Sequence, residues 1–150
     1  MRIAFGCDHG GFALKPVVLD FFKQRGCQVE DLGTMRDDVA SDYPDAAGRV
    51  ARRVASGKAN LGVLCCGSGI GMSIAANKVK GVRAAVLWGS ESAALAREHN
   101  HVNVICFGAR LLTAKQVGVI LRAFWRAKPS QEPRHARRIR KLAALEGGRR

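Results

Sequence analysis

Short apolar segments alternate along the chain with longer amphipathic ones, and this alternation constrains the fold more than any other feature of the sequence. The apolar segments span 2–7, 27–33, 60–66, 82–88 and 103–108. Segment 60–66 is almost continuously apolar, as in a central strand of a parallel sheet that is covered on both faces. Strands that alternate with helices favour such a sheet between two helical layers. We therefore predict an α/β fold, a Rossmann-like three-layer α/β/α sandwich with a five-stranded parallel sheet.

Apolar residues at helical spacing predict the segments between the strands. The helices are expected at about 11–24, 44–56, from 71 onward, 90–99 and 113–127, with Thr113 as the N-cap of the last one. The Pro-rich stretch 128–133 is typical of a linker. The basic segment 134–146 predicts an extra C-terminal helix, with an apolar edge formed by Ile139, Leu142 and Leu145. Residues 1–150 are expected to form a single domain.

The chain is strongly basic, and the charge is concentrated near its end. The formal net charge is +13, of which +8 comes from 122–150, with ten basic and two acidic residues. Such a charge suggests a nucleic-acid partner. The basic helix has no interleaved aromatic residues, however, so it is weak evidence for specific nucleic-acid binding, and its arginines could instead face an anionic ligand.

Neither a membrane span nor a signal peptide is predicted. No apolar run reaches the ~18 residues of a membrane helix. The N-terminal apolar segment breaks at Gly6, whereas a signal peptide needs a longer apolar stretch and a cleavage site. We therefore expect a cytoplasmic protein.

The five cysteines match neither a disulfide framework nor a zinc site. Their number is odd, no CxxC pair is present, and no Cys/His cluster has zinc-ligand spacing. Cys27, Cys65 and Cys106 are expected to be small buried hydrophobic residues. Cys66 differs because it directly precedes a glycine-rich loop.

Polar residues follow the strands at the ends where this kind of sheet binds ligands. The residues are Cys7, Asp8 and His9 after the first strand, Cys66 and GSGIG (67–71) after the third, and Arg110 after the fifth. We expect His99 and Asn100, at the end of the fourth helix, to lie with them. A ligand site at this edge of the sheet is therefore predicted.

The glycine loop 67–71 indicates an anion site. Its three glycines let the backbone approach a ligand closely, and the helix that follows begins with N–H groups that favour negative charge. The loop is not a nucleotide P-loop, and Met72 stands where a dinucleotide-binding motif has its third glycine. A tight strand-to-helix turn without a ligand is the alternative.

Cys66 is the candidate reactive group of this loop. The start of a helix lowers the pKa of a thiol, and the resulting thiolate acts as a nucleophile or as a general base. Neighbouring strand residues point to opposite faces, so at most one of Cys65 and Cys66 faces a ligand, and Cys66 is nearer the strand end. A second buried strand cysteine is the alternative.

Histidines and arginines supply the remaining candidates. His9 and His99 both have polar neighbours, which argues against a core position, and neither has carboxylates at metal-ligand spacing. Arg134 and Arg138 are one helical turn apart, so they share a face that either clamps a phosphate dianion or is solvated.

Six segments, in order along nearly the whole chain, together resemble the ribose-5-phosphate isomerase B and galactose-6-phosphate isomerase family. The segments are IAFGCDHGGFALK (3–15), DLGT (31–34), SDYPDAA (41–47), CCGSGIGMSIAANKVKGVRAA (65–85), AREHNHVNVICFGAR (96–110) and EPRHARRI (132–139). The resemblance implies an aldose–ketose isomerase of a five-carbon sugar phosphate that needs neither a metal nor an organic cofactor. It also implies a dimer or a tetramer whose active sites form between two subunits.

The resemblance implies catalytic roles as well. Cys66 is similar to the base that moves a proton between C2 and C1 of the sugar, and His99 to the group that protonates the ring oxygen. The Ser68 hydroxyl is expected to relay a proton between O1 and O2. Some members have serine at the position of Cys66 and use a glutamate just after the loop, but in this chain Met72 stands there and cannot accept a proton.

Substrate-binding roles follow from the same resemblance. Asp8 and His9 resemble sugar and phosphate contacts, Asn100 a hydroxyl-binding asparagine, and Tyr43 a tyrosine near the sugar. The anion hole corresponds to Gly67, Ser68, Gly69, Ile70 and Gly71, and the phosphate and substrate arginines to Arg110, Arg134 and Arg138. We thus predict interconversion of D-ribose 5-phosphate and D-ribulose 5-phosphate through a cis-enediolate, in the non-oxidative pentose phosphate pathway.

Two alternatives stay open. One is the same reaction on a six-carbon substrate such as allose 6-phosphate or galactose 6-phosphate. The galactose-specific members pair two different subunits, whereas here the base, the ring-opening group and the arginines occur in one chain, which favours a self-sufficient homodimer. The other alternative is a non-catalytic module that binds a nucleotide or a nucleic acid.

Overall fold

The five apolar segments pair side by side as a parallel sheet in the computed structural model, which describes residues 1–147. The strands are β1 (Arg2–Cys7), β2 (Gln28–Asp31), β3 (Leu61–Cys66), β4 (Ala84–Val86) and β5 (Val104–Gly108). The helices are α1 (Lys15–Lys23), α2 (Tyr43–Ala55), α3 (Ile70–Ala76), α4 (Ser90–Asn100), α5 (Ala114–Arg126) and α6 (Pro133–Leu145), with a 3₁₀ helix, His9–Leu14, before α1. The strand order is β2-β1-β3-β5-β4, and every pairing is parallel. The predicted three-layer α/β/α fold is thus confirmed.

The core lies on both faces of the sheet, and β3 shows why its sequence is apolar throughout. All six of its residues are buried. Leu61, Val63 and Cys65 pack in one core cluster with α1, α4 and α5, while Leu64 and Cys66 pack in a second cluster with α2 and α3. The opposite orientation that we predicted for Cys65 and Cys66 is therefore confirmed.

Three predicted elements differ from the structure at their ends by more than one residue. The helix expected at 11–24 begins as the 3₁₀ helix, because the carboxylate of Asp8 accepts the N–H of Gly11 at 2.9 Å and caps this tighter turn. The second strand is shorter than 27–33, which leaves the half-buried Cys27 just before β2. The fourth strand covers only Ala84–Val86, on the edge of the sheet. Beyond the ends of the fourth strand, Val82 and Leu87 are still buried, whereas Trp88 is exposed.

The C-terminal helix α6 leaves the far end of its predicted apolar edge exposed. His135 is its buried residue, and Leu145, predicted on the apolar edge, is 74% exposed. At its end, the carboxylate of Glu146 accepts the backbone N–H of Gly81 at 3.0 Å. No helix within residues 1–147 is long and apolar enough to cross a membrane.

Candidate active site

The crevice between β1 and β3 is where the polar residues after these strands meet. The two strands are neighbours in the sheet, and Cys7 pairs with Cys65 in their register. After β1 the chain turns to the face covered by α1, whereas after β3 it turns to the face covered by α3. Such a divergence opens a cleft at the carboxyl ends of the strands, which is the usual ligand position in this architecture.

Asp8 is held at the floor of this cleft. Its backbone N–H donates to the carbonyl of Cys65 at 3.3 Å, and its side chain is bonded to the N–H of Gly11. Burial raises the pKa of Asp8 above its ordinary value, and the backbone N–H donors of Gly11 and Gly10 oppose that rise. The carboxylate is therefore oriented by the backbone and almost removed from water, at 7% exposure.

His9 is exposed but fixed in orientation. Its backbone N–H donates to the hydroxyl of Ser41 at 3.1 Å, and its Nδ1 accepts the backbone N–H of Ser41 at 3.2 Å. Because Nδ1 is an acceptor here, the proton of a neutral His9 ring is assigned to Nε2. The ring thus presents an N–H donor on its Nε2 side.

Cys66 and the glycine loop form the opposite wall. The sulfur of Cys66 accepts the backbone N–H of Gly69 at 3.0 Å, and Gly69 reaches this position with a φ of +79°, in the left-handed region that favours glycine. Within residues 1–147, the backbone N–H groups of Gly67, Ser68 and Gly71 have no protein acceptor. The loop therefore offers three donors beside the thiol, the arrangement that stabilises an oxyanion.

Arg110 and Tyr43 close over the glycines of this loop. A Cβ on Gly67 would lie 3.0 Å from Nε of Arg110, and a Cβ on Gly71 would lie 2.7 Å from the ring of Tyr43. The backbone N–H of Arg110 also donates to the carbonyl of Gly67 at 2.9 Å. Both positions need glycine because a larger residue would displace a predicted substrate contact.

These residues form what we call the strand-end cluster. It comprises Asp8, His9, Tyr43, Cys66, Gly67, Ser68, Gly69, Ile70, Gly71 and Arg110. The structure brings these predicted residues to the same edge of the sheet.

His99 and Asn100 do not lie at that edge, so their predicted placement is wrong. The helix α4 joins two parallel strands and must run back against them, which puts its last residues beside the amino ends of β4 and β5. Arg83, just before β4, donates from its guanidinium to the carbonyls of Asn100 and His101 at 2.9–3.1 Å. The strand β5 alone separates the two edges by about 13 Å, at roughly 3.3 Å per residue.

Arg134 and Arg138 join His99 and Asn100 at the amino edge, and we call these four residues the helix-end cluster. The start of α6 is held there because the backbone N–H of Ser130 donates to the carbonyl of Glu98 at 3.0 Å, and the ring of His135 stacks on that of His99. Both arginines are exposed. One chain therefore carries the predicted site in two separated halves.

Sequence reasoning assigned no role to Ser41 or His135. Ser41 could not be found, because nothing local indicates that the loop before α2 folds onto His9. His135 carried a signal, since it lies four and seven residues before Ile139 and Leu142, the spacing of one helical face. Among the described residues, no group of three or more His, Cys, Asp or Glu side chains has the geometry to hold a metal ion.

Comparison with known proteins gives the same relationship over nearly the full chain. A profile of the family described as Ribose/Galactose Isomerase matches residues 3–142. Ribose-5-phosphate isomerase B of Escherichia coli K12 is 42% identical over 145 residues, which are 97% of this chain and 96% of that protein. The Mycobacterium tuberculosis H37Rv protein of the same name is 41% identical over 146 residues, 97% of this chain and 90% of that protein.

Solved structures agree with the sequence comparison. Ribose-5-phosphate isomerase B of Clostridium thermocellum superposes with a TM-score of 0.94 at 42% identity, over 98% of each chain. The Mycoplasma genitalium enzyme with bound ribulose-5-phosphate superposes with a TM-score of 0.92 at 39% identity, over 99% of this chain and 97% of that one. The family match and these relatives place the chain in the class of aldose–ketose isomerases. The chain belongs to the Ribose/Galactose Isomerase family.

Proposed function

We propose that this protein interconverts D-ribose 5-phosphate and D-ribulose 5-phosphate, with Cys66 as the base. The observation that carries the proposal is the sulfur of Cys66 beside three N–H donors of the following loop that have no acceptor among the described residues. Relatives about 40% identical over nearly their whole length and named ribose-5-phosphate isomerase B support the substrate.

The proposed reaction begins with a proton from His99 to the ring oxygen. The bond between C1 and that oxygen breaks, and the C1 hydroxyl loses its proton to water as it becomes the aldehyde carbonyl. The thiolate of Cys66 then takes the proton from C2, and the electron pair moves to the carbonyl oxygen at C1 to give a cis-enediolate. The N–H groups of the loop stabilise that oxyanion. Ser68 relays the proton between O1 and O2, and Cys66 returns its proton to C1 to complete the ketose.

The arginines and the buried carboxylate supply binding and orientation. Arg110, Arg134 and Arg138 hold the phosphate, so binding energy from a group remote from C1 and C2 positions the reacting carbons. Asp8, His9, Tyr43 and Asn100 contact the sugar and the phosphate. No metal or organic cofactor takes part in the proposed steps.

We further propose a homodimer, or a tetramer of such dimers, in which the strand-end cluster of one subunit meets the helix-end cluster of its partner. This arrangement completes the site that one chain carries in two separated halves. Exposed apolar side chains are available for such a contact: Ile70, Ile74, Trp88 and Leu95 are 40–56% exposed. A two-fold axis would form two such sites per dimer.

A substitution at Cys66 tests the base. In EDTA-containing buffer, Cys66→Ala should lower turnover of ribose 5-phosphate by about 10²–10⁴-fold, since a positioned general base contributes that much. Cys65→Ala is the matched control, because its side chain packs in the core on the other face. Full activity of Cys66→Ala would mean that the base lies elsewhere.

Mixing two inactive variants tests the shared site. Cys66→Ala and His99→Asn, refolded together in equal amounts, should recover about a quarter of the wild-type activity, because half of the dimers are hybrids with one intact site. Recovery near zero with both variants folded and assembled would contradict a site formed between subunits.

A six-carbon aldose 6-phosphate is the second candidate substrate, and the family description, which includes galactose, favours keeping it. Comparing kcat/KM for ribose, allose and galactose phosphates decides between them. The family relationship sets aside a non-catalytic binding module. The cytoplasmic location, the pentose phosphate pathway and the single domain 1–150 remain predictions.

A further inference from the structure

His135 occupies an unusual place for a polar residue. The helix α6 is rich in arginine, yet the residue that it buries is this histidine, at 3% exposure. The imidazole of His135 lies flat on that of His99, with ring centroids 4.2 Å apart and planes within 6° of parallel. Within residues 1–147 the His135 ring makes no hydrogen bond, so packing against His99, and not hydrogen bonding, holds the ring in place.

Two imidazoles this close cannot both be positively charged imidazolium rings without strong repulsion. Burial lowers the pKa of His135, and the neighbouring His99, Arg134 and Arg138 lower it further, while Glu132 opposes them. The surroundings of His135 thus disfavour its protonated form. His99 is only half-buried, so it remains open to a substrate from its other side.

We propose that His135 is a positioning residue for His99, whose buried ring fixes the plane of the His99 imidazole and so aims its proton at the ring oxygen of the sugar. This inference rests on the proposed function, in which His99 opens the furanose. The flat contact does not cover the ring nitrogens of His99, which make no hydrogen bond within the part of the chain that the structure describes. The contacts of Ser130 and Glu146 anchor the two ends of α6 and hold the stack in place.

Two substitutions of His135 distinguish a role of its planar ring in the stack from a role that needs only buried apolar volume. His135→Phe retains a planar ring of similar size, whereas His135→Leu retains apolar volume without a plane. Turnover of ribose 5-phosphate is measured alongside exchange of the C1 hydrogen of ribulose 5-phosphate with D₂O, followed by NMR. Ribulose 5-phosphate is acyclic, so exchange at C1 requires the base and the enediolate but no ring opening.

We expect His135→Phe to stay within about threefold of wild type in both assays. His135→Leu should lose at least about tenfold in ribose 5-phosphate turnover, through kcat, and keep its C1 exchange, because misorientation of one catalytic group slows only the step that uses it. Melting temperatures and circular dichroism establish that both variants fold.

Three results for a folded His135→Leu would overturn the inference. The first is wild-type turnover of ribose 5-phosphate, and the second is equal slowing of turnover and C1 exchange. The third is a rise in KM with kcat unchanged, which would make His135 a substrate contact. If His135→Leu does not fold, loss of turnover in His135→Phe equal to that of His99→Asn would refute stacking as the cause. A wild-type protein inactive on ribose 5-phosphate would instead remove the proposed function on which the inference rests.

Discussion

Gly11 lies where the first turn after β1 packs directly on the backbone of β3. A Cβ at Gly11 would stand 2.1 Å from the carbonyl oxygen of Cys65 and 2.6 Å from the nitrogen of Cys66, whereas ordinary contacts of a Cβ begin at 3.4 Å. The atoms that it would meet belong to a buried strand paired on both sides, with β1 and with β5. The overlap cannot be relieved by rotating a side chain, so the turn itself must move.

Two effects of Gly11→Ala oppose each other. Overpacking of a tight interior site costs about 1–3 kcal/mol, and this overlap with backbone belongs at the upper end. Loss of backbone freedom in the unfolded chain returns about 0.4–1 kcal/mol. We therefore expect the free energy of unfolding to fall by about 2 kcal/mol, which lowers Tm by roughly 4–8 °C for a chain of this length. Turnover should fall too, because the N–H of Gly11 orients Asp8.

Equilibrium urea unfolding, at one fixed protomer concentration because assembly contributes to stability, measures this change. Gly89→Ala is the matched control. No atom lies within 4 Å of a Cβ at Gly89, and its φ of −166° is extended backbone that alanine adopts freely. Unfolding free energies of Gly11→Ala and Gly89→Ala that agree within about 0.5 kcal/mol would refute the proposed clash.

Two further predictions concern charged residues near the strand ends. Lys15→Met should lower the free energy of unfolding in urea by about 1–3 kcal/mol, because the Nζ of the buried Lys15 lies 2.7 Å from Asp31 and 2.8 Å from the carbonyl of Thr34 in a partly buried site. The exposed Arg36 pair supplies the control, since Arg36→Met should leave stability essentially unchanged. Burial raises the pKa of Asp8 in the folded state, so the wild-type protein loses free energy of unfolding as the pH rises from about 3.8. Over that range Asp8→Asn should become more stable relative to wild type, measured by urea unfolding at several pH values. A stability difference that does not change with pH would contradict the burial effect.

The parts of the fold that the sequence predicted correctly depend on local signals. Alternation of residues along β3 was enough to separate Cys65 from Cys66, since successive side chains point to opposite faces. Thr113 caps α5 through its hydroxyl, as its residue type and position indicated. The carboxyl ends of parallel strands share one edge, which collected the strand-end cluster. Each of these inferences needs only the chain's own neighbours or the direction of a strand.

The position of His99 could also have been predicted from the sequence, by following the direction of the chain through α4. A helix that joins two parallel strands must return the chain to the amino edge, so the end of α4 could not lie beside Cys66. The contacts of Tyr43 with Gly71 and of His135 with His99 could not be predicted from the sequence by such reasoning. They depend on how a long loop and a terminal helix dock, and local propensity does not determine docking.

In α/β chains, the edge of the sheet at which a functional residue lies depends on whether the residue follows a strand or ends a helix. Residues that follow strands can be assigned from sequence to the carboxyl edge of the sheet, whereas residues at the C-terminal ends of crossover helices belong to the amino edge. When both sets carry chemistry for one reaction, as Cys66 and His99 do in the proposed mechanism, strand direction alone implies that a single chain cannot complete the site. The shared site that resemblance suggested therefore has an independent basis in topology, and the mixing of Cys66→Ala with His99→Asn tests that basis directly.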